Sequence, residues 1–106
     1  MSKPIFIRPQ ASRDIDDAFV YIAQNNPDAA LRFFEAVRAT LAQLGKMPGL
    51  GSIFLTANPR LQRLRKWPVK GFKQFLIFYI DPERQVEVVR ILRASRDINS
   101  ILADAE

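Results

Sequence analysis

The sequence contains neither cysteine nor histidine among its 106 residues. Without cysteine, disulfide bonds and thiolate metal sites are excluded, and without histidine the commonest general base and zinc ligand is missing. Catalytic sets built on serine–histidine or cysteine–histidine pairs are excluded for the same reason. The glycines also form no phosphate-binding loop. We therefore expect no catalytic residue of these types, no bound metal and no cofactor.

The sequence also lacks any apolar run of about 18 residues, the length at which a membrane-spanning helix becomes possible. Its N-terminus has no apolar segment of the kind that secretory signals carry. We therefore expect a cytoplasmic protein with no membrane partner. Because 48% of the residues are hydrophobic and the charges are mixed in sign, residues 1–106 can bury a core and are predicted to form a single domain.

The first quarter of the chain predicts a strand followed by a helix. Residues 4–9 form a short β-rich run bounded by prolines, and residues 11–22 place apolar side chains at helical spacing. Asp14, Asp16 and Asp17 lie near the start of this helix. The helix dipole favours carboxylates there, so the cluster does not require a bound cation.

A second helix follows after a very short connection. Asn26 suits the N-cap of this helix and Pro27 its first position, while Gly45 and Pro48 are predicted to end it. Two amphipathic helices joined by about three residues must lie antiparallel, so the sequence predicts an αα-hairpin.

The second half of the chain predicts a sheet. Its strands are expected at residues 61–67, 72–80 and 85–92. The middle strand is apolar on both faces, and Asp81 and Pro82 suit a tight turn that joins it to the last strand. The prediction is an α+β domain in which an N-terminal strand and the αα-hairpin pack on a small antiparallel sheet, in the order β–α–α–β–β–β. A short C-terminal helix is expected over residues 97–103.

The charge of the chain is concentrated in this sheet. Residues 61–98 carry nine lysines and arginines against four acidic residues, which indicates an anionic partner. The candidates for this surface are Arg65, Lys70, Lys73, Arg90, Arg93 and Arg96. Arg65, Arg93 and Arg96 lie near strand ends and are expected to converge. They can bind a nucleic-acid phosphate, or they can pair with acidic residues of the chain or of a bound peptide.

Two segments resemble the RelE/ParE family of bacterial toxins. They are "LRKWPVKGFKQFLIFY", similar to the strand pair of that family, and "VVRILRASRDI", similar to its last strand and Arg-Asp ending. The resemblance implies a growth-arresting toxin of a type II toxin–antitoxin system, encoded with an antitoxin whose C-terminal segment wraps around it. Within the family, RelE-like members cut messenger RNA on the ribosome, whereas ParE-like members inhibit DNA gyrase.

The ParE-like branch fits this sequence better. RelE-like nucleases use a tyrosine or histidine near the C-terminus, and no such residue follows Arg96. The long αα-hairpin also favours the ParE-like branch. We therefore expect a gyrase inhibitor that is not an enzyme, with a ribosome-dependent mRNA endonuclease as the first alternative and a non-toxic basic binding module as the second.

An open apolar groove between the hairpin and the sheet is the expected antitoxin site, because a small sheet cannot cover both flanks of the hairpin. The candidate antitoxin-binding residues are Phe33, Phe34, Val37, Leu41 and Trp67. Trp67 is the only tryptophan and is interpreted as the edge of the core or as a lid on an apolar groove, with base stacking as the alternative role.

Overall fold

The computed structural model describes residues 2–105. Its helices are α1 (Pro9–Ala23), α2 (Pro27–Lys46) and α3 (Ile98–Ala103), and its strands are β1 (Ile5–Ile7), β2 (Ser52–Ile53), β3 (Arg65–Val69), β4 (Phe72–Ile80) and β5 (Val86–Arg93). Two short 3-10 turns precede β2 and β3. The predicted α+β fold with its helix hairpin and C-terminal helix is confirmed.

The sheet differs from the prediction in two ways: it contains a fifth strand, the two-residue β2, and one of its pairings is parallel. The strand order is β1-β5-β4-β3-β2, and β1 lies parallel to β5, with Phe6 opposite Glu87. The other three pairs are antiparallel. The sheet is therefore mixed rather than antiparallel. A parallel neighbour requires a long crossover connection, and here the whole chain between β1 and β5 supplies it.

Both helices of the hairpin begin with a proline. The side chain of Asn26 caps α2 as predicted, because its Oδ1 accepts a hydrogen bond from the Ala29 amide at 3.1 Å. Gly45 does not end α2 but lies inside its last turn. There the Lys3 amide donates to the Gly45 carbonyl at 2.8 Å, and a Cβ at Gly45 would lie 2.9 Å from the Lys3 carbonyl oxygen. Gly45 therefore allows the segment before β1 to approach α2.

The sheet separates two apolar clusters. On one face, α1 and α2 pack through residues such as Phe33, Val37 and Leu44 against Ile77 of β4 and Val88 of β5. On the other face, Leu61, Leu64 and the α3 residue Leu102 cover side chains of β4 and β5 that include Phe78 and Leu92. The centre of β4 is thus covered on both faces, as its apolar sequence predicts.

Asn58 fastens α3 to this second cluster. Its buried amide Nδ2 donates to the carbonyls of Leu102 and Ala105 at 2.8 and 2.7 Å. These bonds satisfy carbonyl groups at the end of a helix that is too short to be stable alone.

Candidate functional site

The predicted basic residues lie at opposite ends of the sheet rather than together. Arg93 pairs with Phe75 near the start of β4, whereas Arg65 pairs with Tyr79 near its end. Four residues along a strand span about 13 Å, and the two arginines also lie on different sides of β4. The expected convergence of Arg65 with Arg93 and Arg96 is therefore wrong, because β3 and β5 run in the same direction and place these positions at opposite ends.

One end of the sheet, which we call the β5 end, carries four of the predicted cations: Lys70, Lys73, Arg93 and Arg96. Lys70, Lys73 and Arg96 are exposed, and Arg93 is half-buried. Within residues 2–105, none of the four forms an ion pair. The β5 end therefore has the cations that an acidic or phosphate-bearing partner can neutralise.

Tyr21 of α1 holds Arg93 at this end. The guanidinium carbon lies 4.3 Å from the centroid of the tyrosine ring, which is a cation–π contact. Arg93, Arg96, Tyr21 and Asp17 line a cleft of about 190 Å³ between α1 and β5. Stacking orders the guanidinium of Arg93 without using its N–H groups, so they remain able to donate to a ligand.

Arg90 has a different role from the one predicted. Its Nε and Nη2 donate to the two carboxylate oxygens of Asp14 at 2.8 and 3.0 Å. Asp14 is 7% exposed and also accepts the Ile91 amide at 2.9 Å. Because Arg90 is engaged in this bidentate pair, it is unsuited to the anion-binding surface.

The same contacts explain Asp14. The sequence predicts that the helix dipole stabilises the Asp14 carboxylate, but Asp14 lies beyond the first turn of α1, which contains no acidic residue. Strand β1 pairs with β5 only as far as Val88, which leaves the next part of the β5 edge without a neighbouring strand. The carboxylate of Asp14 takes the place of that strand by accepting the amide of Ile91 and neutralising Arg90. Its role is structural.

Arg65 is likewise part of the fold. Its Nη1 donates to the Gly51 carbonyl at 2.5 Å, next to Tyr79, whose hydroxyl donates to the Pro48 carbonyl at 2.7 Å and accepts the Gly51 amide at 2.8 Å. Burial is the main cause that raises the pKa of Tyr79 above its usual value of 10.0. Arg65 and Tyr79 together hold the turn between α2 and β2, and this neutral tyrosine is enclosed by protein.

The predicted antitoxin residues divide into core and surface positions. Phe33, Val37 and Leu41 are buried against the sheet, so they do not line an open groove. The sequence pattern predicts that these side chains contact the antitoxin. In the structure they instead form the layer between the hairpin and the sheet. Phe34 and Trp67 are half-buried at the edge of this layer, where a partner can reach them.

An apolar surface that the sequence interpretation missed lies on the outer side of the hairpin. Phe34 stacks on Phe19 with ring centroids 4.6 Å apart. Leu31, one turn before Phe34, is 60% exposed, and Val20 is also exposed. The sequence does carry a signal for this surface. Leu31 and Phe34 are three positions apart, so they are neighbours on the surface of α2, on the flank of its apolar stripe.

A second missed feature is a long segment without acidic residues. Between Glu35 and Asp81 the chain contains no aspartate or glutamate. The cations of this segment are Arg38, Lys46, Arg60, Arg63, Arg65, Lys66, Lys70 and Lys73. The segment covers the second half of α2 and strands β2 to β4, so all the charged side chains that it contributes to the surface are cationic.

The described part of the chain holds no cluster of three or more histidine, cysteine or acidic residues suited to a metal ion. Among the helices of residues 2–105, none is both long and apolar enough to cross a membrane.

Comparison with known proteins assigns the family. Residues 5–98 match the family described as the ParE toxin of the type II toxin–antitoxin system parDE. The fold is similar to a solved structure of the chromosomal ParDE toxin–antitoxin system from P. aeruginosa, with a TM-score of 0.70 and 15% sequence identity, over 87% of this chain and 96% of that one. No significant match was found among curated proteins. Because the family match spans nearly the whole chain, this protein belongs to the ParE toxin family of type II toxin–antitoxin systems.

Proposed function

We propose that this protein arrests bacterial growth by binding and inhibiting DNA gyrase, and that a cognate antitoxin neutralises it. The match to the ParE toxin family over residues 5–98 carries the proposal. The composition supports action by binding rather than by catalysis, since histidine and cysteine are absent.

The tyrosines support the same conclusion. RNA cleavage requires a group that donates a proton to the leaving 5′-oxygen. The hydroxyl of Tyr79 is enclosed between Pro48 and Gly51, and its raised pKa makes it a weaker acid. No tyrosine follows Arg96 in the sequence. This chain therefore lacks the C-terminal catalytic residue that the RelE-like members use.

One observation favours a ribosome-dependent mRNA endonuclease as the second candidate. Tyr21 is 48% exposed and lies beside Arg93 and Arg96 in the cleft at the β5 end. In such a cleft a tyrosine can donate a proton and the two arginines can stabilise charge on a phosphate. The second candidate thus uses the same surface with a different chemistry.

The toxic surface is tested with the double variant Arg93→Ala/Arg96→Ala. Partly exposed arginines contribute about 0–1 kcal/mol each to stability, so we expect a melting temperature close to that of the wild type. Induction of the wild-type protein without antitoxin should stop growth, whereas induction of the double variant should not. The measurements are the melting temperature and the growth curve.

An exposed cation at another position serves as the control for this experiment. Arg84 is exposed and lies in the turn between β4 and β5, at the opposite end of the sheet from Arg93, so Arg84→Ala should remain toxic. Growth arrest by the double variant at the wild-type level would remove the β5 end from the proposal. A wild-type protein that leaves growth unaffected would favour the non-toxic binding module.

The antitoxin surface is tested with Leu31→Asp. We propose that the apolar outer side of the hairpin, which includes Phe34, receives an amphipathic helix of the antitoxin. Leu31 is 60% exposed, so the variant should fold normally. A carboxylate at this position should weaken the complex at least tenfold, about 1.4 kcal/mol. Calorimetry with the antitoxin encoded beside the toxin gives the affinity.

Ala39→Asp provides a matched control, because Ala39 is also exposed on α2 and the added charge is the same. It should leave the affinity unchanged. Equal effects of the two substitutions would show that charge on the helix, rather than contact at Leu31, determines the result.

A further inference from the structure

The cleft at the β5 end combines cations with apolar walls. Ala18, Phe75 and Leu92 line it and are almost completely buried, and Arg93 and Arg96 line it as well. Its volume of about 190 Å³ is smaller than the roughly 300–1,000 Å³ of sites for small molecules and cofactors. The cleft therefore has room for one projecting side chain rather than for a whole ligand.

The two arginines of the cleft are available for an anion. Arg93 lies opposite Phe75 in the register of β5 and β4, and its guanidinium is stacked on the Tyr21 ring. Within residues 2–105, neither Arg93 nor Arg96 forms an ion pair. A guanidinium that is already held by stacking loses little freedom when it donates two parallel hydrogen bonds, so the cleft fits a carboxylate or a phosphate.

Asp17 favours a carboxylate over a nucleic-acid phosphate. Its exposed side chain lines the same cleft, one helical turn before Tyr21. A nucleic acid carries a negative charge on every phosphate, so several charges would approach Asp17 at once, and the sugars on both sides of a phosphate hold it away from so small a cleft. A glutamate brings a single charge, and its two methylene groups can be buried against the apolar walls.

We propose that this cleft binds a glutamate side chain that projects from the surface of a target protein. Arg93 and Arg96 hold the carboxylate, and Ala18 and Leu92 contact the methylene groups. Tyr21 is a positioning residue, which acts through its ring and not through its hydroxyl. The inference rests on the proposed function in one respect, because gyrase is then the protein that carries the glutamate.

The test uses the full chain and three small probes, whose binding is followed by NMR. The first is a blocked pentapeptide with one glutamate among glycines, and the second is the same peptide with glutamine. The third is thymidylyl-thymidine, which carries one phosphodiester charge. The glutamate peptide should bind at least about tenfold more tightly than the glutamine peptide and more tightly than thymidylyl-thymidine. It should also shift the side-chain N–H signals of Arg93.

Two substitutions with matched controls locate the carboxylate. Asp17→Asn removes a repelling charge and should raise the affinity for the glutamate peptide by about two- to fivefold, whereas Asp16→Asn, at an exposed position of the same helix, should not change it. Arg93→Lys keeps the charge but lacks the planar fork, so it should lower the affinity at least about threefold. Arg84→Lys, in the turn at the opposite end of the sheet, should leave it unchanged.

The role of Tyr21 is tested by removing and then restoring its ring. Tyr21→Leu removes the cation–π contact and should lower the affinity for the glutamate peptide by about two- to fivefold. Tyr21→Phe keeps the ring without the hydroxyl, so it should restore the binding of the peptide and the arrest of growth. Loss of toxicity in Tyr21→Phe would instead assign a chemical role to the hydroxyl and contradict the positioning role.

Several results would overturn the proposal. Equal binding of the glutamate and glutamine peptides would remove the role of the carboxylate, and tighter binding of thymidylyl-thymidine at Arg93 would assign the cleft to nucleic acid. An affinity that is unchanged in both Asp17→Asn and Arg93→Lys would place the site elsewhere.

The peptide measurements use no gyrase, so they separate this inference from the proposed function. Peptide binding in the cleft by a protein that leaves supercoiling unaffected would remove gyrase as the target and retain the carboxylate site. Inhibition of supercoiling by a protein that does not bind the glutamate peptide would retain gyrase and overturn the carboxylate site.

Discussion

Replacing Asp14 with alanine is expected to lower the free energy of unfolding by about 3–5 kcal/mol, because it leaves a largely buried charge uncompensated. The substitution removes both hydrogen bonds to Arg90 and the acceptor of the Ile91 amide. Small domains are stable by only about 5–15 kcal/mol, so the loss should be a large fraction of the total. Urea unfolding monitored by circular dichroism measures it.

Asp16→Ala is the matched control, since Asp16 lies on the same helix but is exposed. It should change stability by less than about 0.5 kcal/mol. In a double-mutant cycle, Asp14→Ala and Arg90→Ala should be non-additive by about 1–3 kcal/mol, as expected for residues in contact. Additive effects, or equal effects at positions 14 and 16, would show that the ion pair contributes little.

Replacing Gly51 with alanine is expected to lower the free energy of unfolding by about 3 kcal/mol. The new Cβ would lie 2.6 Å from the Tyr79 hydroxyl and 2.8 Å from the Lys66 carbonyl oxygen. Displacing backbone in a packed region costs about 1–3 kcal/mol, and the bond from the Gly51 amide to Tyr79 adds about 1 kcal/mol. The same unfolding measurement applies.

Gly49 gives the comparison, because it belongs to the same turn and a Cβ there meets no atom within 4 Å. Gly49→Ala should be neutral or slightly stabilising, since it restricts the unfolded chain. If Gly49→Ala and Gly51→Ala destabilise equally, the turn depends on glycine flexibility rather than on the close contact with Tyr79.

The helices and the central strand could be predicted because their signals are local. Asn26 and Pro27 mark the start of α2 through cap chemistry, and the apolar residues of β4 show a strand covered on both faces. The parallel pairing of β1 could not be predicted in this way. It depends on where β5 comes to lie after the chain has passed through the hairpin and the other strands, and no spacing within residues 4–9 carries that information.

The candidate site was harder to predict than the fold. The sequence identifies the cationic residues, but it does not show which of them pair with acidic residues of the same chain. Arg90 and Asp14 are 76 positions apart, so no motif links them. Arg65 and Arg93 both lie at strand ends, but the direction of each strand decides at which end of the sheet the residue lies. Among the apolar candidates, Phe33 and Phe34 are adjacent in the sequence, yet one is buried and the other reaches the surface.

We propose that this member of the ParE toxin family acts by binding gyrase rather than by cutting RNA. The most direct measurement adds the purified protein to a gyrase supercoiling reaction and to a ribosomal translation reaction, with Arg93→Ala/Arg96→Ala in parallel. We predict that supercoiling stops, that messenger RNA stays intact, and that the double variant loses the inhibition. Codon-dependent cleavage of messenger RNA that disappears in the double variant, with supercoiling unaffected, would contradict the account.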